Sequence, residues 1–371
     1  MRKVYNVGII GSGDISAQYL RNAKEVGAFR DYYKIVAVAD LVVEKAKARA
    51  EEFGVPKYGL PEIVYDDSGI DLIINLTVPN AHEEVNIKAL ESGKHVYSEK
   101  PLATSREGIK RIMETAKRCG KRVGCAPDTF MSAPMQTAKK ALEEDWIGKP
   151  IGVNALCPMR GNEFWRADCD FFYKKGAGPM LDMAPYYLNV MVSLFGAVEN
   201  VYSMQKKTFE QRTIKVAPRR GEKIDVEIPT HVCSTLGFKN GVIGTFTNSF
   251  DIFGATAPKI EVYGEKGTMV LPDPNCFDGP VMIRRYRDKE WRPMIQFVEY
   301  EGFGRGIGVM DMIKAIEQDK AHKASAELAY HVTDVILTMD EAAQAKQELK
   351  VASTVAQPEG CYMDQDPIFW A

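Results

Sequence analysis

The sequence predicts an α/β chain in which a doubly wound parallel sheet is followed by an α+β domain with a large open, mostly antiparallel sheet. Three observations lead there: a glycine turn between the first apolar run and a helical stretch, strand-helix alternation to about residue 126, and hairpin punctuation beyond residue 150. A length of 371 residues suits roughly two to three domains. The expected division is 1–126, 127–350 and a tail, 351–371, without a clear period.

Val4 to Ile10 reads as a buried strand, followed by Gly11-Ser12-Gly13-Asp14-Ile15-Ser16 and a helical stretch from Ala17 to Val26. Gly11 permits a tight turn and Gly13 lets backbone approach a pyrophosphate. The helix N-terminus behind the turn, which carries Asp14 and Ile15, offers N–H groups and a positive dipole end to the phosphates. Ser16, in the place of a third glycine, is still small enough for close helix-strand packing. The next strand, Lys34 to Ala39, ends in Asp40, the spacing expected of a carboxylate that binds the adenosine ribose hydroxyls. That charge repels a 2′-phosphate, so NAD is favoured over NADP.

Strands then read at Asp71–Val78, His95–Ser98 and Arg122–Cys125, with helices at Ala81–Ser92 and Ser105–Cys119, the latter closed by Gly120. In such sheets ligands bind beyond the carboxyl ends of the strands. Thr77-Val78-Pro79-Asn80 and Glu99-Lys100-Pro101 both lie there, with Lys100 placed to reach a nicotinamide. The loop after the last strand, with Asp128 and Thr129, is expected to open onto the same crevice.

A linking helix, Ala133 to Asp145, leads into hairpin signals at Lys239-Asn240-Gly241 and Glu265-Lys266-Gly267, with one helix near 180–195. Helices resume at Val309–Glu317 and Ser325–Lys346. A sheet covered on one side leaves its other face for a second copy, so a homodimer or homotetramer is expected.

Composition narrows the partners. Forty-eight basic and fifty acidic residues leave a net charge of −2 with no basic patch, which argues against nucleic acid and anionic membranes. No secretory apolar segment precedes Val4, and Tyr186–Val198 is too short to span a bilayer, so a cytoplasmic protein is expected. Seven scattered cysteines without a C-x-x-C pair read as reduced structural thiols, and no metal site is expected.

The glycine turn, Asp40, Thr77-Val78-Pro79-Asn80 with His82, Gly93-Lys94-His95-Val96, Glu99-Lys100-Pro101-Leu102 and Gly178-Pro179-Met180-Leu181-Asp182-Met183 together resemble the glucose-fructose oxidoreductase, inositol dehydrogenase and MocA (Gfo/Idh/MocA) family, across nearly the whole chain. The resemblance implies a Rossmann domain holding NAD(P), with Thr77, Pro79, Asn80, His82, Glu99 and Lys100 on the cofactor side. It implies a sheet domain supplying the substrate wall and oligomer face. Lys100 is implied to contact the reacting hydroxyl, with Asp182 opposite it. The family commonly places a histidine four residues after that aspartate, as the proton acceptor; this chain has Tyr186. On one helix Asp182 and Tyr186 would share a face. A phenol of pKa about 10 becomes a base only beside an ammonium that lowers it, so either Tyr186 with Lys100 or Lys100 alone takes the proton.

Hydride transfer from a carbinol carbon requires a proton acceptor and a cationic donor at its oxygen, which Lys100, Asp182 and Tyr186 supply. Arg160 and Trp165, amid Phe164, Phe171, Phe172 and Tyr173, suit the apolar faces and hydroxyl edges of a sugar ring. Ala126-Pro127-Asp128-Thr129-Phe130 with Tyr186-Tyr187 resembles a bacterial branch in which sugars or glycosides are oxidised at C3, a reaction a partner lyase can follow. The expected activity is an NAD-dependent sugar or glycoside dehydrogenase. A glycosidase working through transient C3 oxidation and a non-catalytic dinucleotide-binding regulator stand as alternatives. His331 is expected to be structural.

Overall fold

The structure, a computed structural model, describes residues 2–296 and 302–362. The chain divides into two compact units, and the first is discontinuous: Met1–Met131 with Gly302–Tyr330. The second begins at Ser132 and resumes at His331. The first unit thus runs to Met131, past the 126 read from the sequence, and takes up residues 302–330 again.

The first unit is built on β1 (Tyr5–Ile10), α1 (Asp14–Glu25), α2 (Gly27–Arg30), β2 (Tyr33–Ala39), α3 (Val43–Phe53), β3 (Lys57–Gly59), α4 (Glu62–Tyr65), β4 (Leu72–Asn75), α5 (His82–Glu91), β5 (His95–Ser98), α6 (Arg106–Cys119) and β6 (Val123–Cys125). The strands form one parallel sheet in the order β3-β2-β1-β4-β5-β6. That order reverses direction between β1 and β4, which opens a crevice at their carboxyl ends. β1 and β4 are almost wholly apolar because both faces are covered. Ser105 caps α6 by accepting from the Gly108 N–H, and Gly120 closes it, both as the local sequence dictates. The Asp71–Val78 strand stops at Asn75, whose side chain turns back to bind its own loop.

The second unit starts with α7 (Ala133–Glu143) and β7 (Pro150–Pro158), then α8 (Gly178–Asp182), α9 (Ala184–Phe195) and β8 (Val198–Lys206). A small hairpin of β9 (Gln211–Thr213) and β10 (Lys223–Asp225) precedes β11 (His231–Phe238), β12 (Ile243–Ser249), β13 (Ile260–Gly264), β14 (Gly267–Leu271), β15 (Met282–Arg285) and β16 (Arg292–Pro293). α10 (Ile307–Gln318) lies in the returning segment, α11 (Ala326–Ala345) starts there and runs on into the second unit, and β17 (Leu349–Lys350) follows. The large sheet has nine strands ordered β16-β15-β14-β13-β7-β12-β11-β8-β17, antiparallel except for β7 beside β12. One face is core: Tyr187 stacks on Phe246 and Phe195 meets Phe238 edge-on. The opposite face, in register across Tyr202, Thr235 and Thr245, with Met204 and Ile243 nearby, is exposed. Residues 351–362, expected as a patternless tail, are anchored: Val351 donates to the Glu199 carbonyl, and Cys361 donates to Gln136. The rest of that tail lies outside the described residues. Among the described residues no helix is long and apolar enough to cross a membrane.

Candidate active site

β1 delivers Gly11 into a backbone conformation of φ +101°, where a Cβ would sit 2.5 Å from the Leu76 carbonyl. Glycine is obligatory there on both counts. Gly13 differs: its φ is −68° and a Cβ would have no heavy atom within 4 Å. The helix begins at Asp14, three residues earlier than expected, and the Ser16 hydroxyl donates to the Gly13 carbonyl at 2.6 Å. The turn is thus closed from below and open above, with Gly13 and Asp14 exposed and Ile15 half-buried at the start of α1. That is the cradle a pyrophosphate needs.

Asp40, at the end of β2, binds this turn. Its Oδ2 accepts from the Ser12 N–H and hydroxyl at 2.8 and 2.7 Å, and its Oδ1 from the Val42 N–H. Partial burial opposes its ionisation, but the Val42 and Ser12 donors outweigh that and hold its pKa below the ordinary carboxylate value. The carboxylate is anionic, half-exposed, and followed by the 82% exposed Leu41. An anion with an apolar neighbour suits an adenosine carrying free ribose hydroxyls.

On the other side of the switch point, Thr77, Val78, Pro79 and Asn80 present partly or fully exposed surface. His82 does not, being 1% exposed, with Nδ1 2.6 Å from the Pro101 carbonyl oxygen and Nε2 3.0 Å from that of Thr77. Its expected place among the cofactor contacts is corrected: both ring nitrogens face the chain's own backbone. Glu99, 7% exposed, accepts from the Tyr19 hydroxyl at 3.0 Å and from the Lys100 N–H at 3.2 Å, so α1 fixes the loop bearing Lys100. The Lys100–Pro101 peptide is cis, and Lys100 is half-buried at the carboxyl end of β5.

Asp128 and Thr129 are fully buried, not substrate-facing. Asp128 Oδ2 accepts from the Gly306 and Gly308 N–H groups at 2.9 and 3.1 Å, at the start of α10. Burial pushes its pKa up, against the pull of Arg305 and those two amides. The returning segment also meets β6 where Cys125 N–H donates to the Ala324 carbonyl. Sequence alone carried no signal for this, because the capped amides lie 178 residues away.

In the second unit Asp182 closes α8 and is half-buried, while Tyr186 lies in α9 and is 6% exposed. The single helix expected across them is broken at Met183, since Pro185 has no N–H to continue the ladder. Asn248, fully buried on β12, donates to the Pro179 carbonyl at 2.7 Å and so positions α8. Arg160 and the 56% exposed Trp165 flank Phe164; the Arg160 guanidinium stands 4.8 Å from that ring's centre, and Phe253 meets the same ring edge-on. Of the other polar groups expected near a sugar, Arg166 pairs with Asp168 through two hydrogen bonds and Asp170 pairs with Arg219. Arg212 joins Glu163, both buried, and the partly buried Asp251, tying β9 to this loop. His331, fully buried, accepts from the Val198 N–H and contacts Ser353, a structural role as expected.

Residues 5–126 match an oxidoreductase family with an NAD-binding Rossmann fold, and residues 135–270 match the GFO/IDH/MocA C-terminal domain. The chain is 25% identical over 310 residues to myo-inositol 2-dehydrogenase of Thermotoga maritima, across 79% of this chain and 87% of that one. It is 27% identical over 283 residues to inositol 2-dehydrogenase of Klebsiella pneumoniae, across 73% and 74%. Among solved structures, a levoglucosan dehydrogenase in complex with NADH shares the fold with a TM-score of 0.82 at 22% identity, over 95% of this chain and 100% of the other. A cradle over Gly13, the Asp40 anion and these matches lead to one conclusion: the chain belongs to the GFO/IDH/MocA family of oxidoreductases, with NAD as its cofactor.

Proposed function

We propose that the chain moves a hydride between a secondary hydroxyl carbon of a sugar or cyclic polyol and the nicotinamide of NAD. The observation that carries this reading is Lys100, half-buried at the carboxyl end of β5 on a loop fixed by Glu99 and Tyr19, beyond the strands that bear the glycine turn and Asp40. NAD, held by Gly11, Ser12, Gly13, Asp14, Ile15, Asp40 and the Thr77–Asn80 loop, supplies the hydride acceptor. The neutral amine of Lys100 takes the hydroxyl proton as the carbonyl forms, and its ammonium returns it in reduction. Tyr186, 6% exposed, is the less accessible base, which favours Lys100. Asp182, Tyr186, Arg160 and Trp165 form the substrate side. The inositol and levoglucosan dehydrogenases among the relatives support a cyclic polyhydroxyl substrate.

A glycoside oxidised at C3, with a lyase acting on the 3-oxo product, is the finer assignment, in the cytoplasm and in a homodimer or homotetramer joined by the exposed sheet face. Absorbance of reduced nicotinamide over a panel of inositols, sugars and glycosides tests it, with a carbonyl co-substrate included. Net reduction supports the reading, and a kinetic isotope effect confined to C3-deuterated glucoside supports the carbon. Silence across the panel contradicts dehydrogenation; sugar release without net reduction replaces it with glycoside cleavage.

A further inference from the structure

Beneath the Thr77 and Lys100 loops lies a row of wholly buried polar side chains, Asn75, His82, Asn86 and Ser98. Asn75 accepts from the Thr77 N–H and hydroxyl and donates to Asn86 Oδ1 at 2.8 Å. Asn86 donates to the Ser98 hydroxyl at 3.1 Å and to the Leu102 carbonyl at 3.4 Å, and Ser98 donates to the Glu99 carbonyl. Apolar residues would fill this space at no desolvation penalty, so the network's return lies in the geometry it fixes. His82 completes it by lying between the carbonyl that follows Lys100 and that of Thr77.

A neutral imidazole carries one N–H and so donates to only one of two carbonyls. We assign the N–H to Nδ1, the nitrogen with the shorter contact, 2.6 Å to the Pro101 carbonyl against 3.0 Å from Nε2 to that of Thr77. Burial favours the neutral ring, pushing its pKa below the ordinary value against the pull of both carbonyls.

We propose that His82 is a positioning residue for hydride transfer: its Nδ1–H holds the Pro101 carbonyl and thereby sets Lys100, without touching the cofactor. This rests on the role given to Lys100 above. His82→Asn presents an amide N–H close to the position of Nδ1, and His82→Gln presents one near Nε2. The three measurements are NADH affinity by fluorescence, kcat with the best substrate of the panel, and hydrogen exchange of the Lys100 and Leu102 amides.

All variants, with His82→Ala, keep NADH affinity within about threefold. His82→Gln and His82→Ala lose kcat by roughly 30- to 100-fold, the scale of a 1 Å misplacement, and exchange at Lys100 and Leu102 speeds up about tenfold. His82→Asn keeps kcat within about fivefold and exchanges as the wild type does. A merely structural histidine predicts equal damage from Asn and Gln, and a cofactor contact predicts weakened NADH with kcat preserved; either result overturns the proposal. If the wild type turns over nothing in the panel, the role of Lys100 fails, while the exchange pattern still decides whether the Nδ1 arm holds the loop.

Discussion

Two glycines two positions apart should fail in opposite ways. Gly13→Ala adds a methyl where the protein has no heavy atom within 4 Å, at a φ of −68° that alanine accepts. Losing glycine at the helix cap and narrowing the unfolded ensemble are opposing effects, each under about 1 kcal/mol, so the folded chain barely changes. The methyl instead occupies the approach of the pyrophosphate. Overpacking of one methyl there costs about 1–3 kcal/mol of binding, or roughly 5- to 150-fold in NADH Kd. Gly11→Ala forces alanine to φ +101° for about 1–3 kcal/mol and drives its Cβ to 2.5 Å from the Leu76 carbonyl, backbone that has no rotamer to turn away. Its Tm should fall by at least about 5 °C. Thermal unfolding and a fluorescence titration with NADH measure both. Gly13→Ala binding NADH like the wild type, or unfolding as early as Gly11→Ala, would take the pyrophosphate away from Gly13.

Asp40→Asn keeps a side-chain acceptor for Ser12 while removing the charge, so discrimination against NADP should relax by about fivefold or more, from a Coulomb term of about 1–4 kcal/mol; an unchanged NAD to NADP ratio of Kd values counts against Asp40 as the selector. Asp128→Ala should destabilise the chain by about 2 kcal/mol, by orphaning the Gly306 and Gly308 amides, and leave sugar KM unchanged; unchanged urea stability with a raised KM would return Asp128 to the substrate. His331 gives a pH test: burial pushes its pKa down to about 4, so the unfolded chain, titrating at about 6.5, binds its proton first. Its contribution is complete above about pH 6.5 and is lost as pH falls toward 4, by up to roughly 3 kcal/mol. Urea midpoints at pH 7.5 and 5 should therefore draw closer together in His331→Gln than in the wild type, though not merge, since His95 is also pushed down to about 4 by burial. An unaltered pH dependence would exclude that role.

What was legible in the sequence was local. The glycine turn, the Ser105 cap, the Gly120 stop and the Lys239-Asn240-Gly241 turn are fixed by residues within a few positions, and the strands and helices around them follow. Asp40 and Lys100 were legible because strand ends in a doubly wound sheet converge on one edge. The rest depends on distant partners. Asp128 reads as a crevice residue until the chain returns at Gly306 to be capped by it. Arg212 finds Glu163 and Asp251 at separations of 49 and 39 residues. β7 pairs parallel with β12 across the intervening helices, which no hairpin signal announces. His82 is placed on the cofactor side by the resemblance alone, and only the third dimension supplies the two carbonyls that face its ring nitrogens.

If Lys100 handles the proton of the reacting hydroxyl, Lys100→Ala separates turnover from NADH affinity when the two are followed together. NADH Kd should stay within about threefold of the wild type while kcat falls by 10²-fold or more, the scale of a lost general acid-base group. A variant that turns over its substrate at the wild-type rate would contradict it.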